Sequence, residues 1–222
     1  MVSETEARSV LANEYLRGEG IEIGALQKPL AVPDAARVRY VDRLTLEQAH
    51  AEYPELGDAP LVRPDIIADA ETLAGLLNES YDFVIANHVL EHMKNPLGAL
   101  ENWIRVLRLR GRLYVAVPDH TNPLDKYRPV TSMEHIIQDY EGNTDHDQHY
   151  RESAESAFRD RPEVWSYMPD FYKSRDYAIH FHVFDGFSFA RLLGWSCCRF
   201  SVIVEALHHT PEEHIAIVTR LS

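Results

Sequence analysis

Short apolar runs rich in valine and isoleucine recur through the first half of the chain, and this feature most constrains the fold. Such runs are typical of parallel strands that are buried on both faces of a sheet. The predicted strands span residues 21–24, 38–41, 61–66, 81–86 and 112–117. Between the last two, Asn95 and Pro96 are typical of an N-cap and a first helical residue, and apolar residues follow at helical spacing as far as Gly111. Strand, crossover helix and strand together predict a doubly wound, mostly parallel α/β sheet.

The second half of the chain departs from this alternation. Residues 120–181 separate the fifth strand from the elements that complete the sheet, and we interpret them as an inserted helical lid or substrate-recognition segment. Asp185 begins a helix that we expect to end at Gly194, and residues 201–220 predict an antiparallel hairpin with Pro211 in its turn. We therefore expect a single domain over residues 1–222 that carries this insertion.

Composition excludes several classes of protein. The 222 residues are 45% hydrophobic and 26% charged, which is typical of a globular chain with one sizeable core. The net charge of -13 argues against binding to nucleic acid, because gripping phosphates requires clustered Lys and Arg. No apolar run approaches the roughly 20 residues that cross a bilayer, and the first residues do not resemble a signal peptide. Cys197 and Cys198 are adjacent and give no disulfide framework. We expect a cytoplasmic protein with no membrane partner, and the oligomeric state stays open.

Polar residues and a glycine follow the predicted strands at the points where they end. Gly24 and Asp42 end the first two strands, Asp69 follows the third, Asn87 and His88 follow the fourth, and Asp119 follows the fifth. In doubly wound sheets, ligands bind at the carboxyl ends of the strands. The sequence therefore predicts a ligand site at this edge.

These residues resemble a known family, the class I S-adenosylmethionine-dependent methyltransferases. The stretch YDFVIANHVLEHMKNPLGALENWIRVLRLRGRLYVAVPD, residues 81–119, is similar to their fourth strand, helix and fifth strand. The EIG of residues 22–24, Asp42, and the DAETL that begins at Asp69 resemble three further motifs in the same order. The resemblance covers about the first half of the chain. It implies a Rossmann-like methyltransferase fold, transferase activity and S-adenosylmethionine as cofactor.

The same resemblance assigns the cofactor residues. Asp42 falls where the family binds the ribose, although an acid at this position is also typical of a helix N-cap or an ion pair. Glu22 and Gly24 belong to the first motif, in which the glycine lets the backbone turn close to the ligand. Asp69 and Ala70 are expected to face the adenine, with Asp65 as a competing acid and an N-cap role for Asp69 as the alternative. Asn87, His88 and the LEH of residues 90–92 are expected to line the methionine part of the pocket, with a packed, hydrogen-bonded His92 as the alternative.

The turn after the first strand departs from the family pattern. Leu26 replaces a small residue, and Pro29 and Pro33 interrupt the segment where a first helix usually begins. We predict that this helix is shortened or absent, so that its amide groups cannot bind the cofactor carboxylate. Lys28 is a candidate for that contact, and an ordinary exposed lysine is the alternative.

Twelve histidines are unusual in a chain of this length. One hypothesis is general-base catalysis by His180, His182 or His149, because a hydroxyl acceptor must lose its proton. A second is a divalent metal site, for which the candidate ligands are drawn from the inserted segment and the residues after it: His135, Asp139, His149, His180 and His182. A third is that these histidines serve structure or lie at the surface. The sequence does not choose among the three and identifies no metal motif.

The acceptor is predicted only by class. We expect methyl transfer to a small molecule or a saccharide, with oxygen as the favoured nucleophile. Trp165, Tyr167, Phe171 and Tyr172 could stack on such a ring, but we favour the interpretation that they form the small core of the insertion. The alternative function is a degenerate methyltransferase fold that binds without catalysis, as Leu26 and the missing helix suggest.

Overall fold

The computed structural model describes residues 4–57, 59–144 and 146–222. Its strands are β1 Gly18–Ile23, β2 Ala36–Asp42, β3 Ile66–Ile67, β4 Tyr81–Asn87, β5 Leu107–Pro118, β6 Val202–His209 and β7 Glu213–Arg220. Its helices are α1 Glu4–Tyr15, α2 Leu46–Glu52, α3 Pro96–Val106, α4 Met133–Tyr140, α5 Asp147–Ala157, α6 Pro162–Trp165, α7 Met168–Arg175 and α8 Gly186–Arg199. Ser3 and Glu6 have the sequence spacing of a capping box for α1, but Ser3 lies outside the described residues.

The strands form one sheet in the order β3-β2-β1-β4-β5-β7-β6. The first five strands in the chain pair in parallel, whereas β7 is antiparallel to both β5 and β6. The predicted fold class is confirmed: a doubly wound, Rossmann-like, mostly parallel sheet that ends in an antiparallel hairpin. Helices α4 to α7 lie between β5 and α8 in the chain.

Alternation of side chains across the sheet creates two apolar cores. Ile21, Ile23 and Val84 pack on one face with Trp103 of α3 and Phe189 of α8. The opposite face is covered by α1 and contains alternate residues of the same strands: Phe83, Ile85, Tyr114 and Ile217. Because successive strand residues point to opposite faces, a continuous apolar run fills both cores at once.

Three element boundaries differ from the sequence prediction. The third strand contains only Ile66–Ile67, because Pro60 and Pro64 lack the amide hydrogens that a longer strand would donate. Helix α3 ends at Val106, and the residues up to Gly111 belong to β5, where a bulge shifts the pairing with β4. Helix α8 continues past Gly194 to Arg199. Apolar spacing alone could not distinguish the last helical residue from the first residue of a buried strand.

Side-chain caps fix where the helices begin. Asn95 accepts a hydrogen bond from the Gly98 amide, as predicted for an N-cap followed by proline. Asp185 and Ser188 form a capping box at the start of α8. In α4, Ser132 is the N-cap, and the hydroxyl of the preceding Thr131 accepts a hydrogen bond from the Val183 amide. None of the helices among the described residues has the length and apolar character to cross a membrane.

Candidate active site

A cavity of about 320 Å³ lies at the carboxyl edge of the parallel strands. Its wall is formed by the ends of β1 and β2, the loops after β3 and β4, and residues that follow α7. The predicted site residues in this wall are Gly24, Asp42, Ala70 and His88, and they are joined by Leu26, Arg43, Tyr53, His92 and Tyr177. The volume is at the lower end of the range of roughly 300–1,000 Å³ typical of small-molecule sites.

Asp42 is the last residue of β2 and reaches the cavity from the sheet itself. Its Oδ1 accepts a hydrogen bond of 2.9 Å from the Leu44 amide, which fixes the orientation of the carboxyl group. Burial raises the pKa of Asp42 above its ordinary value, although the Leu44 amide and the charge of Arg43 oppose this shift. A partly buried and oriented carboxylate is suited to accept hydrogen bonds from two neighbouring hydroxyl groups.

The turn after β1 contains no helix, as predicted. The backbone is left-handed at Gly24, with φ of 65°, and again at Leu26, with φ of 44°. A Cβ atom on Gly24 would lie 3.2 Å from Val89 in the cavity wall. Glycine therefore allows the left-handed backbone of the turn and also the short distance between this backbone and the Val89 side chain. The segment then extends to β2 without the helix that usually begins at this point.

Glu22 holds this turn in place. Its side chain is buried in β1, and its two carboxyl oxygens accept from the Leu30 amide at 2.9 and 3.2 Å. Burial raises the pKa of Glu22 to about 7, against the opposing effect of the Leu30 amide. The first acid of the motif therefore supports the shape of the turn and also lines a smaller neighbouring cavity.

The loop after β3 forms the side of the cavity predicted to face adenine. Ala70 lines the cavity, and its carbonyl accepts a 2.7 Å hydrogen bond from the Trp103 indole. Asp69 Oδ1 accepts from both the amide and the hydroxyl of Thr72, which is a local turn contact. Asp65, the competing acid, accepts from the Tyr40 amide at the sheet edge. Ala70 therefore lies in the main cavity, Asp69 lines an adjoining one, and Asp65 is part of neither wall.

The loop after β4 forms the opposite end. Asn87 and His88 line a second cavity of about 190 Å³, together with Lys28 and Arg8. The Asn87 side chain interacts with the buried Glu22 carboxyl group, and this contact opposes the rise in the pKa of Glu22. Asn87 therefore joins the end of β4 to the turn after β1 in the wall of this second cavity.

His88 is held by residues from the two ends of the chain. Its Nε2 lies 2.9 Å from Glu213 of β7 and 3.2 Å from Arg8 of α1. Arg8 also pairs with both oxygens of Glu213, at 2.8 and 2.5 Å. Burial opposes ionisation of Glu213, but the hydrogen bonds from Arg8 and His88 lower its pKa overall. This charged group closes the end of the cavity that lies over β4.

The structure separates the predicted catalytic histidines from the cavity wall. His149, His180 and His182 do not line the cavity, whereas His92 does. His180 Nδ1 lies 2.6 Å from Asp125, and the His180 ring packs edge-on against His92 with 4.7 Å between centroids. Burial alone would lower the pKa of His180, but the Asp125 hydrogen bond and the charge of buried Glu91 raise it overall.

His92 lines the cavity, as His88 does. Its Nδ1 lies 2.8 Å from the Ile179 carbonyl, which can only accept, so Nδ1 carries the proton, and Nε2, which lies 4.0 Å from Glu91 Oε1, carries the lone pair. Burial lowers the pKa of His92, which favours the neutral imidazole. The sequence predicted His92 in the methionine side of the pocket or packed, and not as a candidate base.

His149 and His182 belong to a different group, which also contains His135 and Asp139. His180 and His182, predicted to act from one side of an extended segment, instead contact different carboxylates. Burial and the neighbouring imidazoles of His182 and His135 lower the pKa of His149 to about 3. His146 was missed as a member of this group, although the motif DHDQHY contains it.

The aromatic residues of the insertion are divided between core and surface. Tyr172 is buried with Tyr150 and Phe181, as favoured for a small core. Trp165, Tyr167 and Phe171 are exposed, so the core interpretation was wrong for these three. Both cysteines are free, in the last turn of α8.

The structure is an α/β fold with a cavity at the carboxyl edge of its sheet, which is the edge where such folds bind their ligands. Residues 19–115 match a family described as "Methyltransferase domain". No curated protein gives a significant sequence match. The matched residues include β1, the turn after it, β2 and the loops that line the cavity.

Solved structures share the fold over the whole chain. A structure from Bacillus halodurans, provisionally named a methyltransferase, is 13% identical with a TM-score of 0.56 and covers 99% of both chains. A SAM-dependent methyltransferase from Aquifex aeolicus is 11% identical with a TM-score of 0.53, over 99% of this chain and 91% of that one. A Rhodobacter sphaeroides structure, provisionally named for Zn-dependent alcohol dehydrogenases, is 16% identical with a TM-score of 0.59. The likeness covers 100% of this chain and 92% of that one. At these identities the likeness shows the fold alone.

The Methyltransferase domain match covers slightly less than half of the chain, and solved structures named as methyltransferases share the fold of the whole chain. S-adenosylmethionine is the cofactor that this match implies.

Proposed function

We propose that this protein transfers a methyl group from S-adenosylmethionine to a hydroxyl oxygen of a small-molecule or saccharide acceptor. The observation that carries the proposal is the position of Asp42. Its oriented carboxyl group shares one cavity with Gly24 and Ala70, at the edge of the sheet where α/β folds bind nucleotides. When bound, the cofactor supplies an electrophilic methyl group on a positively charged sulfur.

The residues around the cavity suit the parts of that cofactor. Asp42 accepts from the ribose hydroxyls, and the Ala70 backbone with Asp69 borders the adenine. Asn87 and His88 bind the methionine part, and their shared position in the wall of the second cavity supports this role. Lys28 provides a cation for the carboxylate, in place of the absent helix N-terminus. Glu22 acts indirectly by holding the turn through the Leu30 amide.

We assign the role of general base to His92. The acceptor hydroxyl gives its proton to Nε2 of this neutral imidazole as its oxygen forms the new bond to the methyl carbon and the sulfur–carbon bond breaks. The Ile179 carbonyl fixes the His92 tautomer, and His180, held by Asp125, packs behind the ring. His180 therefore remains in the proposal as a positioning residue. His149 and His182 are left out because their side chains contact Asp139 and His135 instead.

The segment over residues 120–181 is proposed to be the acceptor-recognition insertion of a single-domain enzyme. Tyr177 and Ala178, near its end, line the cavity beside His92. The backbone amides of Phe181 and His182 both donate to the Glu91 carbonyl, which joins the end of the insertion to the loop after β4. The insertion is thus placed to contact whatever enters from the acceptor side.

The proposal is tested by substituting Asp42. Asp42→Ala should weaken S-adenosylmethionine binding by roughly 100-fold in titration calorimetry, because two hydrogen bonds to a charged group are worth about 3 kcal/mol together. Asp34→Ala is the matched control, since Asp34 is an exposed acid in the same connection between β1 and β2. Equal affinities for the two variants would refute the site assignment.

The same proteins test the reaction. Release of S-adenosylhomocysteine in the presence of monosaccharides or phenols should be detectable for the wild type, and His92→Gln should lower its rate far more than it lowers cofactor affinity. A thermal transition that neither S-adenosylmethionine nor S-adenosylhomocysteine shifts would instead favour a non-catalytic module.

A further inference from the structure

Five side chains converge where the insertion packs beside the loop after β4. His135 and Asp139 lie one turn apart in α4, His146 and His149 lie at the start of α5, and His182 follows α7 in an extended segment. They form two overlapping groups that share Asp139, and in each group the ligand atoms all lie within 4.8 Å of one another. The Methyltransferase domain match ends before all five residues.

We propose that His135, Asp139, His149 and His182 bind a divalent transition-metal ion with the preferences of Zn²⁺. Three imidazoles and one carboxylate form a donor set that zinc accepts in tetrahedral sites. The ion joins three segments of the chain that are not otherwise consecutive. His146 is the remaining donor at the edge of the group.

The distances within the group suit such an ion. His135 Nε2 lies 3.0 Å from His149 Nε2 and 3.5 Å from Asp139 Oδ2, and His182 Nε2 lies 2.8 Å from the same oxygen. Ligands that surround zinc tetrahedrally at about 2.0–2.1 Å are separated by roughly 3.3 Å from each other. The three separations therefore lie within about half an ångström of that spacing.

Burial makes an ordinary hydrogen-bonded explanation incomplete. Asp139, His149 and His182 are buried. A contact between two imidazole nitrogens satisfies one nitrogen of each ring and leaves the other in need of a partner. Among the described residues, the buried Nδ1 atoms of His146 and His149 have no hydrogen-bond partner. A cation bound by the facing Nε2 atoms of His135 and His149 uses the lone pairs of both rings at once, and each ring then carries its proton on Nδ1.

His180 is excluded from this site, although the sequence grouped it with His182. Its Nδ1 lies 2.6 Å from Asp125, which in turn pairs with Arg128 at 2.9 Å. A carboxylate that already binds an arginine has less capacity for a metal ion. The two histidines of the HxH sequence therefore have different partners and different roles.

Four protein ligands complete a tetrahedral shell, so the site is structural. Metal binding fixes His182, whose amide donates to the Glu91 carbonyl at 3.1 Å, and Glu91 lies beside His92 of the cavity wall. The ion thus stabilises the insertion against the loop that carries the candidate base. This role is independent of cofactor binding.

The test uses the full chain without a histidine tag, because a tag would itself bind metal. Wild-type protein dialysed against Zn²⁺ and then metal-free buffer should retain one ion per chain by elemental analysis. Titration of the chelator-treated protein with Co²⁺ should give the absorption bands of a tetrahedral site. Addition of Zn²⁺ should raise the melting temperature.

Variants identify the ligands. H135Q/H149Q should weaken Co²⁺ binding by roughly 100-fold or more, whereas H50Q/H208Q removes two histidines outside the group and should bind as the wild type does. H135Q alone covers the case in which the double variant does not fold, because the His135 side chain is 32% exposed. Substoichiometric metal in the wild type, or equal Co²⁺ affinity in all variants, overturns the proposal. Calorimetry with S-adenosylmethionine on the same samples measures cofactor binding independently, so failure of the metal proposal can be distinguished from failure of the proposed cofactor site.

Discussion

The sheet and the inserted segment bury side chains of different kinds. Around the sheet, two cores of aliphatic and aromatic residues pack against α1, α3 and α8. The insertion has a small separate core around Tyr150, Tyr172 and Phe181, beside a group of buried histidines and Asp139. Apolar burial is non-directional and tolerates change in composition, whereas buried polar groups require particular partners.

This contrast explains how the site is built. The sheet holds the proposed cofactor residues at fixed strand ends, and the insertion adds Tyr177 and Ala178 to the cavity wall. Under the proposed function, cofactor binding depends on the main core, while the acceptor side depends on polar contacts in the insertion. Four substitutions challenge or refine this division.

The largest effect is expected from Trp103→Ala. Trp103 is fully buried in α3, and its indole donates to the Ala70 carbonyl. Removing a buried tryptophan typically costs about 3–5 kcal/mol, so the free energy of unfolding should fall by that amount in urea denaturation. Hydrogen exchange should increase throughout the sheet.

The matched variant is Tyr172→Ala in the insertion. It should increase exchange in α5 and α7 and leave the protection of β4 and β5 nearly unchanged, because Tyr172 belongs to the separate core. If Tyr172→Ala deprotects the sheet as much as Trp103→Ala does, the two regions unfold as one unit and the division fails.

Glu22→Gln should change the pH dependence of stability. The folded pKa of Glu22 is raised to about 7 from an ordinary value of 4.5, so the folded state keeps a proton that the unfolded state has lost between these values. The unfolded state binds fewer protons there, and stability falls as pH rises. The free energy of unfolding that Glu22 causes to be lost over this pH range is about 3 kcal/mol, because each unit of pKa difference is worth about 1.4 kcal/mol.

Glutamine keeps an acceptor for the Leu30 amide but does not ionise. The stability difference between wild type and Glu22→Gln, measured by urea unfolding, should therefore change in favour of the variant from pH 4.5 to 7 and stay constant above. Glu19→Gln, at an exposed position of β1, should show no such change. Parallel pH curves for wild type and Glu22→Gln would contradict the assigned role.

The smallest effect is expected from Gly24→Ala. Its backbone is left-handed, so a side chain should cost about 1–2 kcal/mol of stability. Gly75→Ala is the control, because Gly75 has φ of 87° and no atom within 4 Å of its added Cβ. Both variants should lose similar stability, but only Gly24→Ala should also weaken S-adenosylmethionine binding by calorimetry. Equal S-adenosylmethionine affinity in the two variants would contradict the prediction that the turn at Gly24 contacts the cofactor.

Much of the sheet could be predicted because its information is local. Apolar runs of strand length, the Asn95–Pro96 helix start and the interrupted segment around Pro29 and Pro33 each depend on neighbouring residues. These patterns indicated the α/β class, the carboxyl-edge site and the missing helix, and the structure agrees with them. Boundaries such as the end of α3 were missed because helix and buried strand share the same apolar residues there.

The sequence by itself determined the sheet, the turn after β1 and the position of Asp42 at the end of β2. Only the tertiary structure decided which histidines meet. His182 lies 2.8 Å from Asp139 and His180 lies 2.6 Å from Asp125, although the two histidines are separated by one residue. Periodicity encodes which face of an element is buried, but contacts between distant polar side chains depend on the path of the connecting loops. Those paths follow from the packing of the whole chain, which no local pattern records.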